Sequence, residues 1–189
     1  MKVTHKQEED LIAHYESHPE YYSFASNAHM LSGIFVDLGL NMNKSKHILD
    51  VGCGSGALGG VFSSLGCTYV GVDYSSIRID IAKSKGYANC DFYLGDVYVF
   101  LEKEIEKGNK YDTICIFEVL EHLVEPERVI ALCKQLLTDG GSIVASVPHN
   151  MPYVAHLQVY IDQQDVQNKL EPNQIIMDGI QKHYFCRWS

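Results

Sequence analysis

The stretch that decides the fold runs from Lys46 to Gly60 and reads KHILDVGCGSGALGG. An apolar run carries an acid, Asp50, and then breaks into glycines at Gly52, Gly54 and Gly56 before a second apolar segment begins. We interpret this pattern as a strand, a glycine turn and a helix. Glycines permit positive φ and close approach of a ligand, and the helix start offers unpaired N–H groups. The stretch therefore predicts a nucleotide-type binding turn.

Two cofactor patterns fit this turn. Gly54, Gly56 and Gly59 form a GxGxxG with an acid further on, which is the dinucleotide fingerprint and a weak signal by itself. The competing pattern is an acid two residues before GxGxG, and it resembles the first motif of class I S-adenosylmethionine-dependent methyltransferases. That resemblance implies that Asp50 lies beneath the loop and helps to hold the amino-acid end of the cofactor. A ligand-free structural turn is the third interpretation.

Composition narrows the class of protein. The 189 residues are 46% apolar and 21% charged, as expected of one globular domain, and no apolar run approaches the length of a membrane span. The formal net charge is −9, whereas nucleic-acid binders usually present a basic field. We therefore expect a small-molecule substrate and no nucleic acid or membrane partner.

The N-terminus and the cysteines indicate where the protein is located and which sites it lacks. The polar, acidic N-terminus (MKVTHKQEEDL) is unlike a signal peptide, so a cytoplasmic protein is expected. The six cysteines contain no CxxC pair, so we predict neither a zinc site nor a disulfide framework.

The periodicity predicts alternating strands and helices after an N-terminal helical region with helices at 8–17 and 25–40. Strands are expected at 46–51, 68–73, 90–94, 111–117 and 142–147, with helices at 75–85, 100–107 and 129–137 and a turn at 139–141. This alternation predicts an α/β fold: a doubly wound, mostly parallel sheet with helices on both faces. We divide the single domain into a helical cap (1–45), a core (46–150) and a substrate-side segment (151–189).

Right-handed crossovers place the ligand-binding loops at the carboxyl ends of the parallel strands. The glycine turn, Asp73, Asp96, the segment 118–122 and His149 all fall there. Asp73 lies 21 residues after Gly52, which suits a carboxylate that accepts two hydrogen bonds from a ribose diol.

The later motifs strengthen the resemblance to class I methyltransferases. EVLEHL (118–123), DGG (139–141) and SVPHN (146–150) are similar to that family's motifs, except for Asp139 in place of proline and an inserted His149. The resemblance implies S-adenosylmethionine as cofactor, S-adenosylhomocysteine as product, and a Rossmann-like fold. It further implies that Asp96 and the backbone of Val97 face the adenine and that Tyr21 or Tyr22 reaches the cofactor. The remaining cofactor positions implied are Cys53, Tyr74, Phe117 and Glu118.

The whole pattern is similar to methyltransferases of cell-surface glycan and secondary-metabolite pathways and to ubiquinone-type O-methyltransferases. Such families continue past the HYF segment (183–185) with a helix and an antiparallel strand pair. We expect that pair to be absent here, which would leave an uncovered edge strand. We therefore expect either a homodimer or a remaining part of the protein, missing from this sequence, to cover that edge.

A histidine suits deprotonation of an acceptor hydroxyl, so His122 and His149 are the predicted bases, with His29 and His183 as further candidates.

Two alternative functions stay open. Glu118, Glu121 and His122 resemble the metal-binding ExxEH of small-RNA 2′-O-methyltransferases, although we predict no metal. The chain is otherwise interpreted as a non-catalytic cofactor-binding scaffold.

Overall fold

The computed structural model describes residues 46–147 in full, the backbone of Pro148, 174–178 and 183–188, and five earlier helical positions, Lys6, Glu9, Asp10, Ala13 and Ser17. The last four of these positions lie inside the first predicted helix. The second predicted helix (25–40) lies outside the described residues. None of the described helices is long and apolar enough to cross a membrane.

The described strands belong to one sheet. They are β1 (His47–Val51), β2 (Thr68–Asp73), β3 (Cys90–Leu94), β4 (Tyr111–Phe117), β5 (Leu137–Pro148), β6 (Gln174–Asp178) and β7 (His183–Trp188). Within the described part of the chain the order is β3-β2-β1-β4-β5-β7-β6, and β1 to β5 are mutually parallel. The predicted doubly wound α/β sheet is confirmed.

Four described helices cover the sheet: α1 (Ala57–Ser64), α2 (Ser76–Ser84), α3 (Val97–Glu106) and α4 (Pro126–Gln135), with one turn of 3-10 helix at Leu120–His122. Alternation along β1 divides the core between two faces. Ile48 joins the cluster that contains α1 and α2, whereas Leu49 joins the cluster that contains α3 and α4. Asp50 therefore shares the face of α1 and α2.

Two helices begin three residues earlier than predicted. α3 begins at Val97 rather than at residue 100 because Asp96 caps it, its Oδ1 accepting a hydrogen bond from Val99 N at 3.0 Å. α4 begins at Pro126 rather than at residue 129, since proline is tolerated in the first helical turn.

The predicted turn at 139–141 lies inside β5. Tyr111 of β4 pairs with Leu137, but Thr113 pairs with Ser142, so extra residues of β5 bulge opposite β4. Gly140, at φ +76°, supplies the left-handed backbone of this bulge. The residue types that favour a turn also favour a bulge, so the pattern alone does not separate them.

The sheet continues beyond β5, which corrects the expectation that the antiparallel pair is absent. β7 pairs antiparallel with β5, from Ile143↔Trp188 to Pro148↔His183, and β6 pairs antiparallel with β7. The HYF segment is thus part of the pair rather than a segment before it. Because β7 covers β5, the argument for a homodimer from an open edge no longer applies.

Parallel strands give the sheet two different ends. We call the region of Asp50–Gly56, Asp73, Asp96 and 118–122 the carboxyl end of the sheet. The opposite region, with His47, Glu104, Lys107, Asn109 and Tyr111–Asp112, is its amino end.

Candidate functional site

The glycine turn begins where β1 ends and is tied to β2. Gly52 N and Cys53 N both donate to Val72 O, at 2.9 and 3.0 Å, and Gly56 N donates to Cys53 O at 2.9 Å. Gly56 is the N-cap of α1, at φ +74°, and offers no side-chain cap. The turn is therefore held from one side by β2, with the start of α1 directly behind it.

Close packing also requires glycine in this turn. At Gly52, where φ is +75°, an added Cβ would overlap Cγ2 of Val119, which comes from the segment after β4. At Gly56 it would lie 2.7 Å from the ring of Phe92. At Gly54 it would meet only Arg78 Nη1, at 3.3 Å. The middle of the turn is thus its least crowded part.

Asp50 lies beneath the turn and is 3% exposed. The hydroxyl of Tyr69, on β2, donates a short hydrogen bond to Asp50 Oδ2. Burial raises the pKa of Asp50 to about 7; the Tyr69 hydrogen bond opposes this shift and the nearby charge of Asp73 adds to it. Asp50 is therefore a buried acid that titrates near neutral pH.

Asp73 ends β2 and fastens the turn from the other side. Its Oδ2 accepts from Gly54 N at 2.9 Å and its Oδ1 accepts from Ser75 N at 2.9 Å. Burial raises the pKa of Asp73, while these backbone donors and the charge of Arg78 oppose the shift. Each carboxylate oxygen has a second lone pair, so the side chain still has room to accept from a ligand hydroxyl.

The ends of β2 and β3 lie together, because Gly95 N donates to Asp73 O at 3.0 Å. Asp96 is exposed and uses Oδ1 to cap α3, which leaves Oδ2 for another donor. Tyr74 and Val97 beside these residues are half-buried. The structure thus brings these predicted positions to the same end of the sheet as the glycine turn.

The segment after β4 completes this end. Phe117 is buried, and Glu118 adopts a left-handed backbone, with φ +57°. Glu118 is fixed twice by Ser146 of β5: Glu118 N donates to Ser146 O at 3.0 Å, and Ser146 Oγ donates to Glu118 Oε1 at 2.7 Å. A non-glycine residue held in this conformation is the kind of local strain that clusters at functional sites.

Glu121 and His122 are more deeply placed than the sequence indicates. Glu121 is 3% exposed, and its Oε2 has no hydrogen-bond partner among the described residues. Burial, and secondly the charge of Glu118, hold the pKa of Glu121 well above its ordinary value. His122 Nε2 lies 3.6 Å from Glu121 Oε1, and burial lowers the pKa of His122 to about 4. At neutral pH the imidazole is therefore uncharged.

Two predicted positions, Tyr22 and His149, lie outside the described residues, as does His29. Only the backbone of His183 is described. Within residues 46–147, no group of three or more His, Cys, Asp or Glu side chains is arranged to hold a metal ion. Glu118, Glu121 and His122 do not form a metal site by themselves.

Sequence reasoning missed four residues that shape this end of the sheet: Tyr69, Arg78, Val119 and Ser146. Tyr69 carried the most usable signal, because a tyrosine inside an apolar parallel strand needs a partner for its hydroxyl. The other three act through contacts with residues that are distant in sequence: Arg78 with Gly54, Val119 with Gly52, and Ser146 with Glu118.

The chain is similar to known methyltransferases. A family model described as a methyltransferase domain matches residues 21–178. A ubiquinone biosynthesis O-methyltransferase of Coxiella burnetii is 34% identical over 130 residues, which are 67% of this chain and 53% of that protein. The corresponding protein of Pasteurella multocida is 34% identical over 110 residues, 53% of this chain and 46% of that protein. The chain thus spans about half the length of these relatives.

Solved structures share the fold at low identity. The magnesium protoporphyrin IX methyltransferase of Synechocystis PCC 6803, with bound S-adenosylmethionine, gives a TM-score of 0.67 at 16% identity, over 99% of this chain and 98% of that one. A DhpI complex with S-adenosylhomocysteine gives 0.71 at 14% identity, over 98% and 97% of the two chains.

Proposed function

Because the chain belongs to the methyltransferase-domain family, we propose that it binds S-adenosylmethionine at the carboxyl end of the sheet and methylates a hydroxyl of a small molecule. The observation that carries the proposal is the meeting of two buried acids, Asp50 and Asp73, with the glycine turn between them. The class of reaction is a one-carbon transfer by in-line displacement.

The chemistry of these residues fits that cofactor. Asp50 and Asp73 are acids whose pKa values are raised by burial, so a cationic ligand stabilises their charged forms. S-adenosylmethionine supplies an electrophilic methyl carbon on a sulfonium, together with an ammonium group and a ribose diol. We assign Asp50 to the ammonium end and Asp73 to the diol. Gly54, the least crowded glycine of the turn, is where the backbone contacts the ligand.

The adenine end of the site is assigned to the ends of β2 and β3. The Oδ2 of Asp96, which does not cap α3, would accept from the exocyclic amine, and Val97 N, at the start of α3, would face the adenine beside it. Tyr74 and Phe117 supply apolar surface beside it, and Glu118 and Cys53 complete the lining. Tyr22 is proposed to approach from the N-terminal segment.

The acceptor side is assigned to the residues after β4 and β5. General-base catalysis works best when the pKa of the base is close to the working pH, and the pKa of His122 is about 4. We therefore assign His122 the role of a neutral group that accepts a hydrogen bond from the substrate hydroxyl and orients it. This role fits its pKa better than that of the base that takes up the proton. His149 stays the second proposed base.

A hydroxyl acceptor is proposed for two reasons. The relatives from Coxiella burnetii and Pasteurella multocida are named as O-methyltransferases of ubiquinone biosynthesis, and this chain is 34% identical to each over the matched residues. The net charge of −9 also argues against an RNA acceptor. Phenols and sugars are therefore the acceptors to test first.

Calorimetric titration with S-adenosylhomocysteine, with NADH as the control, tests the cofactor. Binding of S-adenosylhomocysteine alone is expected, and Asp73→Asn should weaken it. Binding of NADH alone would support the dinucleotide interpretation and end this proposal. Binding of neither compound would also contradict it.

Transfer of a labelled methyl group to a panel of phenols and sugars tests the reaction. Labelled product from a hydroxyl compound is expected, and its yield should not change when a chelator is added. Loss of activity on chelation would favour the metal-assisted alternative, in which Glu118, Glu121 and His122 take part. Cofactor binding without transfer to any acceptor would favour the non-catalytic scaffold.

A further inference from the structure

We propose that Tyr69 is a positioning residue of the cofactor site, whose hydroxyl keeps the Asp50 carboxylate charged and oriented beneath the glycine turn. The inference rests on the proposed function, since it adds a residue to that same site. Tyr69 does not itself contact the ligand in this proposal; it acts through Asp50.

Strand register brings the two side chains together. Asp50 pairs with Gly71 and Ile48 pairs with Tyr69 in the parallel ladder of β1 and β2, so Tyr69 and Asp50 are diagonal neighbours on one face. Gly71, directly opposite Asp50, has no side chain, and a Cβ there would lie 2.8 Å from Cys53 Sγ. Cys53 thus packs from the turn into the space that Gly71 leaves beside the pair.

Packing fixes the position of the hydroxyl. Tyr69 is fully buried, and its ring stacks on Phe62 with the centroids 6.1 Å apart and contacts Phe92 at 5.6 Å. Phe92 in turn packs closely against Gly56 and Gly59, at the start of α1. The ring is therefore wedged between the sheet and the helix that begins at the turn, and it cannot swing away from Asp50 without disturbing both.

The charge balance at Asp50 makes this one donor important. Among the residues that the structure describes, four titratable groups face Asp50: Tyr69 and Asp73 from β2, Cys53 from the turn and Cys115 from β4. Burial holds the pKa of Tyr69 and of both thiols well above their ordinary values, so all three stay protonated. Among the described residues, Tyr69 is the side chain that donates to Asp50, while burial and Asp73 favour its protonated form.

Removing the hydroxyl should therefore change how binding depends on pH. In the wild type, affinity for S-adenosylhomocysteine should rise with pH as Asp50 loses its proton near pH 7. In Tyr69→Phe the rings still pack, but Asp50 holds its proton to higher pH. We expect affinity at neutral pH to fall roughly 10-fold and the midpoint of the pH dependence to move up by about one unit.

The experiment is calorimetric titration of S-adenosylhomocysteine from about pH 5.5 to about pH 9 with three proteins: wild type, Tyr69→Phe and Tyr111→Phe. Tyr111 is the matched control, because its buried hydroxyl also donates to a carboxylate, Glu104 Oε2 at 2.6 Å, but at the amino end of the sheet. Tyr111→Phe should bind as the wild type does, with the same midpoint.

The outcomes separate the two proposals. No binding by the wild type ends the proposed function itself. Wild-type binding that Tyr69→Phe leaves unchanged in strength and midpoint overturns the role of Tyr69 alone, as does an equal loss in Tyr111→Phe.

Infrared difference spectra provide a second measurement. It uses only the wild type, so it does not depend on whether a variant folds. With ring-labelled tyrosine, addition of S-adenosylhomocysteine should remove a protonated-carboxyl band and shift a tyrosine C–O band. Spectra without the tyrosine shift would overturn the role of Tyr69.

Discussion

Each end of the sheet contains a buried carboxyl group that accepts a hydrogen bond from a tyrosine, but the two groups differ in how well they are satisfied. At the amino end, Glu104 accepts from Tyr111 Oη at 2.6 Å, Asn109 Nδ2 at 2.6 Å and Lys107 Nζ at 2.7 Å. Burial alone would raise the pKa of Glu104, but these three donors outweigh it and lower the pKa. At the carboxyl end, Asp50 has one such donor in the described part of the chain, and its pKa rises to about 7.

The contrast extends to the neighbouring acids. Asp112, at the amino end, accepts from Lys46 N, His47 N and Thr138 Oγ1, and these donors lower its pKa against the effect of burial. Asp73 and Glu121, at the carboxyl end, both have raised pKa values, with burial as the main cause. One end of the sheet is saturated with donors and supports stability. At the other end burial outweighs the donors, and among the described residues Asp50 has one side-chain donor and Glu121 Oε2 has none, which makes these acids candidates for binding a ligand.

The test with the largest expected effect replaces Asp50 and Glu104, in turn, by the corresponding amides. Asp50→Asn should weaken binding of S-adenosylhomocysteine by roughly 100-fold, because a buried charge-assisted contact is lost. Glu104→Gln should leave the affinity unchanged, since Glu104 is at the far end of the sheet. Calorimetric titration of the two variants measures both effects, and equal losses in the two would show that the ends do not differ in function.

A second test compares glycines with similar backbone angles. Gly52 at φ +75° would overlap Val119 if it carried a Cβ, whereas Gly86 at φ +61° has nothing within 4 Å of that position. Gly86→Ala should cost about 1 kcal/mol of unfolding free energy, for the left-handed backbone alone, and Gly52→Ala about 2 kcal/mol more. Chemical denaturation measures the difference, and Gly52→Ala combined with Val119→Ala should recover part of it. Equal losses of unfolding free energy in the two variants would contradict the predicted overlap with Val119.

The third test uses the opposite signs of the pKa shifts. The lowered pKa of Glu104 means that its contribution to stability is present above its unfolded pKa and is lost as pH falls through the folded pKa. Glu104→Gln should therefore be less stable than the wild type at pH 7, by about 2 kcal/mol, and lose that deficit in acid.

Asp50 has the opposite sign. Its raised pKa means that folding favours the protonated acid, so wild-type stability falls as pH rises from about 4 to about 7. Asp50→Asn should be no less stable than the wild type at pH 8, and more stable relative to it there than at pH 4. Denaturation curves at both pH values measure this, and the same pH trend in both amide variants would contradict the assignment.

The smallest expected effect is spectroscopic. His122 should titrate near pH 4, well below a free imidazole, because burial disfavours its charged form. NMR of ¹⁵N-histidine-labelled protein measures this, with His122→Gln to assign the signal. A midpoint near 6.5 would restore His122 as a base suited to neutral pH.

Much of the fold was predictable, because hydrophobic runs that end in glycine or an acid mark buried parallel strands. The convergence of Asp50, Asp73 and Asp96 followed from topology alone. The hydrogen bond between Tyr69 and Asp50 did not, since it depends on the register of β1 against β2. The burial of Glu121 and His122 was also hidden, because a short turn rich in charged residues ordinarily indicates an exposed loop.

The pairing of β5 with β7 has a consequence for how the protein is made. Residues 149–182 separate the two strands in the chain, so β5 leaves the ribosome before its antiparallel neighbour exists. At synthesis rates of about 5–20 residues per second the interval is a few seconds. Throughout it β5 can pair with β4 on one side only, and its other edge stays open along residues 143–147, which are buried in the finished protein. That open edge is the part of the growing sheet most exposed to pairing with a strand of another chain.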